Sequence, residues 1–494
     1  MKNILTLIII IAAIAIAKSQ NISDVVRWSV VDQVGTARTL GVGSSFGSMG
    51  GDFSVININP AGIADYRISE FTFTPSLKSY KTDSKFSGAP NDSQIAKGSS
   101  LGLDNIGFVF ASNPGGNLTS SNFAIGFSRI SDLGRKSFLS GKIPGSITTY
   151  FAERANKHNV NELDEFVAFP AYEAWAIYDF DEDGYYETDF GSPNQEVQRT
   201  QDIIQKGGIN ELTLGWAGEY KNQINFGLSM GVPFASFDEQ KTYKESDPND
   251  LIPVFDDLTF TENLYTSGVG LNFKAGFIYK FMNTVRLGGA FQSPTWYKFT
   301  DDYSNLIEYA FTDNANGSRR RTSTSPDGNF EYKITTPWRA TGSLGSTIRL
   351  NEIRGFVNAD IEFVDYTNAS YNGTAYSSDA SEQQYTNEVN KTILNKLGPA
   401  TNIRLGAEFG YRQIRLRGGY SIEQSPFNSE VVNNNKVSFG IGFRDDRFFI
   451  DLGWRISKFS EGYYPYIVTD TKLDPLANIN TTRTRSALTV GFKF

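Results

Sequence analysis

The stretch Arg485 to Phe494 alternates with a period of two. Leu488, Val490, Phe492 and Phe494 fall on one face, and Ala487, Thr489, Gly491 and Lys493 on the other. Upstream, Phe448, Ile450, Leu452, Trp454 and Ile456 stand opposite Phe449, Asp451, Gly453, Arg455 and Ser457. Val437, Phe439, Ile441 and Phe443 oppose Ser438, Gly440 and Gly442; Ile414, Leu416, Gly418, Tyr420 and Ile422 oppose Arg415, Arg417, Gly419 and Ser421. Period two predicts strands. A soluble antiparallel sheet also alternates, but here a bulky apolar face opposes one that mixes glycine with full charges. That contrast suits lipid on one side and a watery or plugged lumen on the other.

The same reading predicts about fourteen strands, with cores near 67–80, 100–111, 121–132, 209–220, 223–236, 263–280, 284–299, 330–349, 354–368, 401–411, 414–423, 436–444, 447–459 and 485–494. Long and short connections alternate between them. The predicted fold is therefore all-β: a transmembrane antiparallel up-and-down barrel with tight turns and both termini on the periplasmic side.

Composition narrows the function. Residues 1–19 form a secretory signal, with Lys2, the apolar run Ile4 to Ala17, and cleavage expected after Ala17 or Ser19. There is no cysteine, one histidine (His158) and four methionines. A disulfide framework and a thiolate metal site are excluded, and few ligands remain for a transition metal or haem. The net charge of −8, with no basic stripe, argues against a nucleic-acid partner. Hydrophobic content of 39% with no apolar run longer than the leader excludes helical spans. Aromatics at 14% and 46 glycines fit a barrel instead. No nucleophile–base pair emerges, so no enzyme is expected.

A barrel this wide is not filled by its own side chains. Residues 20–65 are read as a hatch that plugs it, ahead of a barrel over 66–494. The hatch is rich in small residues, and Pro60 and Gly62 set the turn into the first strand. The stretch ARTLGVGSSFGSMGGDFSVININPAGIA resembles the N-terminal hatch of the FadL/TodX family of outer-membrane transporters of hydrophobic compounds. Its Asn59-Pro60-Ala61-Gly62 element is the most specific part. AFQSPTWYKF, TPWRATGSLGSTIRLNEIRGFVNADIEFVDYTNASY and IRLRGGYSIEQSPF with KVSFGIGF and FIDLGWRIS also resemble that family. The resemblance implies a hatch-plugged barrel of fourteen strands. Long-chain fatty acids or similar hydrophobic molecules would be caught by extracellular loops, held beside the hatch and released sideways at a kinked third strand. The implied partners are outer-membrane lipid and a hydrophobic small-molecule ligand. The family also includes non-transporting barrels that serve as accessory subunits of outer-membrane secretion or assembly machines, which would add protein partners.

In the third strand, Phe123, Ile125 and Phe127 keep one face but Ile130 falls out of phase. A bulge near Ser128 and Arg129 is therefore expected, either as the lateral gate or as a strand end. Arg404, Glu408, Arg415, Arg417, Asp451 and Arg455 are predicted to face the lumen. They could support the plug as salt bridges or hold a carboxylate head group. The largest insert, about 133–208, carries Asp179, Asp181, Asp183 and Gly184 in a spacing that can wrap calcium. The glutamate expected at the twelfth loop position is missing, since Phe190 stands there. A solvated acidic loop is the alternative.

Overall fold

The computed structural model describes residues 22–90, 92–192, 195–281, 284–313, 317–373, 380–428 and 434–494. The signal segment 1–19 lies outside them. Nineteen strands form one sheet: β1 (Glu70–Phe86), β2 (Gln94–Phe110), β3 (Leu118–Asp132), β4 (Arg135–Pro144), β5 (Glu196–Tyr220), β6 (Ile224–Ser246), β7 (Phe255–Phe281), β8 (Val285–Gln292), β9 (Trp296–Asp313), β10 (Gly317–Thr324), β11 (Gly328–Thr335), β12 (Arg339–Leu350), β13 (Ile353–Asp365), β14 (Ser370–Asn372), β15 (Pro399–Tyr411), β16 (Ile414–Glu423), β17 (Asn434–Arg444), β18 (Phe448–Tyr463) and β19 (Ala477–Lys493).

Fourteen of these close an antiparallel ring: β1, β2, β3, β5, β6, β7, β8, β12, β13, β15, β16, β17, β18 and β19, with β19 returning to β1. Each ring strand overlaps one predicted core. The outward faces are as the period-two pattern requires. Ile450, Leu452, Trp454 and Ile456 are exposed, whereas Phe449, Asp451 and Arg455 are buried. The short turns bend through left-handed backbone at Lys221, Asn222, Asn351 and Arg412, the conformation that tight hairpins demand. Phe494 donates its amide to the Ser69 carbonyl at 3.0 Å, so the last strand ends where the first begins.

Two expected strands are broken. The core 284–299 divides into β8 and β9 at Ser293–Thr295, and 330–349 divides into β11 and β12 at Thr336–Trp338. Pro294 and Pro337 supply no amide to a ladder. The breaks face each other, joined where Thr336 N donates to Thr295 O at 3.0 Å and Thr295 N to Thr336 Oγ1 at 2.9 Å. Beyond them β9 pairs with β7 and β11. The insert is also shorter than expected. β4 and the outer half of β5 pair within 133–208, leaving 145–195 to form α3 (Ile147–Ala155) and α4 (Ala168–Glu173).

That insert is packed down rather than loose. Phe151, Ala171 and Ile177 share a core with Tyr243, Phe255, Tyr309 and Tyr466 from strands and loops around the mouth. Buried Arg199 donates to the Ile143 carbonyl at 2.9 Å, the Gly145 carbonyl at 2.5 Å and the Tyr466 hydroxyl at 3.0 Å. Glu245 accepts from Ile147 N at 3.0 Å, capping α3. No helix among the described residues is long and apolar enough to cross a membrane.

Candidate functional site: the hatch and the third-strand gap

Residues 22–69 lie inside the ring. A helix over 22–29 (α1) leads to α2 (Ala37–Gly41) and two 3-10 turns, Phe53–Asn57 and Pro60–Asp65. The second turn starts where the sequence marks it. The Asn59 side chain accepts from Ala61 N at 3.2 Å and donates to Gly47 O at 2.6 Å and Phe277 O at 3.1 Å. Pro60 takes the first helical position, where its missing N–H costs nothing. A Cβ on Gly62 would lie 2.7 Å from Met49 O, so the two hatch segments touch only because that position is bare. Asp65 then meets Lys280 at 2.6 Å and Arg286 at 2.5 Å at the short-turn end.

Of the predicted lumen charges, Arg404, Glu408, Arg417, Asp451 and Arg455 converge on or beneath the hatch. Glu408 takes Arg38 of α2 at 2.8 Å and Arg417 at 2.6 Å. Arg417 is 2.8 Å from Asp451, which also holds Arg444 at 2.8 Å. Arg455 reaches Asp32 at 2.7 Å and Ser44 Oγ at 2.6 Å. Arg404 pairs with Glu362 at 2.9 Å. Arg415 does not join them; its guanidinium donates to the carbonyls of Arg412 and Ile414 beside the tight turn. Sequence reasoning missed Asp360, whose carboxylate accepts the amides of Phe46 at 2.9 Å and Gly47 at 3.2 Å. Its inward place on a period-two strand was the available signal.

β3 pairs with β2 only from Phe123 to Ser128. Two irregularities coincide there. In β2, Asp104 is an extra residue opposite the Thr74/Pro75 step, because Pro75 has no amide for the ladder. In β3, the register against β5 shifts between Arg129 and Ser131, which makes Ile130 the extra residue beside the Ser128–Arg129 pair. Beyond this point β2 is paired with β1 alone, while β3 and β4 follow β5. Charged groups line the gap: Asp132 holds Lys78, Arg129 at 3.4 Å and Arg485 at 3.2 Å, and Arg485 also reaches Asp104 at 3.1 Å. Directly below, the Phe53 ring of the hatch lies against the Gly107–Gly126 pair, where a Cβ on either glycine would collide with it.

Above the hatch, aromatic rings line the lumen. Trp28 of α1 stacks on Phe299 at 4.7 Å and meets Phe237 edge-on at 6.4 Å, and Tyr332 continues the stack at 5.5 Å from Phe299. Trp28 Nε1 is buried with no hydrogen-bond partner among the described residues. In the insert, Asp179 accepts the amides of Asp183 at 3.2 Å and Gly184 at 2.9 Å, and Asp183 that of Tyr185 at 2.8 Å. Among the described residues no group of three or more histidine, aspartate or glutamate side chains is placed to hold a metal ion, Asp181 included.

No family model and no curated protein matches the sequence. Solved structures do match the fold. The toluene transporter TodX of Pseudomonas putida aligns over 94% of this chain and 99% of its own, at 13% identity and a TM-score of 0.53. A FadL homologue from Pseudomonas aeruginosa aligns over 94% and 100%, at 12% identity and a TM-score of 0.53. In fold, the chain is thus a hatch-plugged barrel of the FadL/TodX kind.

Proposed function

We propose that this protein transports hydrophobic small molecules, long-chain fatty acids or similar, across the outer membrane of a Gram-negative cell. The short-turn end would face the periplasm and the packed insert the outside. Cargo would be caught at the mouth, rest against the Trp28–Phe299 aromatic wall and leave sideways between β2 and β3. The observation that carries this reading is the gap above Ser128. An open sheet edge is costly in hydrocarbon, where backbone groups find no water, so two coincident bulges that create one call for a purpose. The fold shared with the toluene transporter TodX supports the cargo class.

A second reading is favoured by one observation. The hatch is pinned by ion pairs at Asp32, Arg38 and Asp65, as a seal would be in an accessory barrel of a secretion or assembly machine. Gentle extraction of the native protein followed by mass spectrometry separates the two. Bound apolar molecules on an isolated barrel support transport; a stoichiometric protein partner without bound ligand overturns it.

A further inference from the structure

On the outer face of β1, β2 and β19, Lys81 and Lys97 stand directly opposite each other in register. Both are exposed. Asp83 stands on the same outward face, two residues along β1 and opposite Ile95, and among the described residues neither lysine forms an ion pair. Like charges facing each other across a strand pair repel, and an anion seated between them would relieve that repulsion. Around them Ser79 pairs with Ser99 and Thr484, and Lys81 with Thr482. These residues, with Tyr80 and Gly98, line a shallow cavity of about 400 Å³.

Height along the barrel identifies what fills it. With a rise of about 3.3 Å per residue and a tilt of roughly 40°, Lys81 stands about 28 Å from Glu70 at the short-turn end, just beyond an apolar band of about 25 Å. The outward side chains change at that level. Phe73, Leu77 and Leu101 below it are exposed and apolar, Leu101 at 85%; hydroxyls and then the two lysines follow. We infer that Lys81 and Lys97, with the Ser79, Ser99, Thr482 and Thr484 hydroxyls, bind the phosphate of an outer-leaflet glycolipid whose acyl chains lie on Leu77 and Leu101. The bridging phosphate converts the lysine repulsion into two charge-assisted hydrogen bonds. Because β2 carries the open edge of the gap, the bound lipid flanks the opening. The inference rests on the outward orientation proposed above, not on the cargo.

The full chain in mild detergent is titrated with diphosphoryl lipid A, with its dephosphorylated form and with inorganic phosphate. Wild type is expected to prefer the diphosphoryl lipid. Replacing both lysines (K81Q with K97Q) should weaken that binding roughly 30-fold, while K81R with K97R retains it and serves as the folded control. Unchanged binding by the glutamine pair, or loss in the arginine pair as well, overturns the site. Full competition by millimolar inorganic phosphate overturns the lipid as its source. Orientation is read separately: with no native cysteine, a Ser87→Cys variant in the β1–β2 turn should react on intact cells with an impermeant maleimide. Protection of that thiol would contradict the orientation rather than the phosphate site.

Discussion

Asn105 and Ser128 are the last residues at which β2 and β3 pair, and Asn105 Nδ2 closes that pairing by donating to Ser128 Oγ at 3.1 Å. Asn105 Oδ1 also accepts from Thr72 Oγ1 at 3.0 Å, so one amide ties three strands at the foot of the gap. Asn105→Ala leaves two buried hydroxyls without their partner. A loss of about 1–3 kcal/mol is expected, read as a lower midpoint of heat-modifiable gel mobility. An unchanged midpoint would mean that the gap needs no tie at its base.

Under the gap the hatch meets the wall through the Phe53 ring and through Asn122 Nδ2, which donates to Ile63 O at 2.8 Å and Tyr66 O at 2.9 Å. Gly107→Val places a branched side chain where the Phe53 ring lies, and the ring supplies all the nearest atoms a Cβ there would meet. The ring and its turn must then leave the wall, and conductance in planar bilayers should rise above the wild-type level. Phe53→Ala removes the ring without a collision and should cost about 3–5 kcal/mol of stability as a cavity. Equal conductance for wild type and Gly107→Val would show that the hatch seals by other contacts.

The ring of strands was legible because lipid imposes a rule on every outward residue. That rule stops at the membrane surface. The outer halves of β1, β2 and β5, and the strand Gly317–Thr324 with its three arginines, carry no clean apolar alternation and fall outside the predicted cores. The proline breaks at Ser293–Thr295 and Thr336–Trp338 were overrun because apolar residues continue on both sides. In the lumen, parity identified which charges point inward but not which partners meet them. Arg415 shares the parity of Arg417, yet it lies two residues nearer the turn, and its long side chain bends to the Arg412 carbonyl instead. Arg38 and Asp32 could not be matched to Glu408 and Arg455 without the path of the hatch through the barrel.

Glu408 bridges a hatch arginine and a wall arginine, Arg38 and Arg417. Glu408→Gln leaves two buried guanidinium groups short of a carboxylate, a loss expected to reach about 3–5 kcal/mol. The local result should be faster amide hydrogen exchange over residues 37–51 and little change in the outer strands. Uniformly faster exchange across the barrel would argue that the pair supports the wall rather than the plug.

Asp189 of the insert accepts hydrogen bonds from Tyr178 at 3.2 Å and from Tyr309. Burial pushes its carboxyl above the ordinary aspartate range, outweighing those two hydroxyl donors. A raised folded-state value means that the docked insert holds its proton more tightly than the released one. Its contribution is complete below the unfolded value near 3.8 and is lost as pH rises through the raised value. Limited proteolysis of the 179–195 segment should therefore slow as pH falls from neutrality, and Asp189→Asn should flatten that dependence. An identical pH profile in the variant would assign the effect to other groups.

Cargo is proposed to leave through the gap made by the third-strand bulge. The most direct measurement is uptake of radiolabelled oleate and toluene by cells whose only such barrel is this protein, comparing wild type with a variant lacking Ile130 and Asp104. Removing Ile130 returns β3 to register with β5, and removing Asp104 with it takes out the second bulge so that β3 can continue along β2. If release is lateral, uptake falls at least about tenfold while surface expression and heat-modifiable mobility persist. Undiminished uptake through a continuous wall would contradict the account.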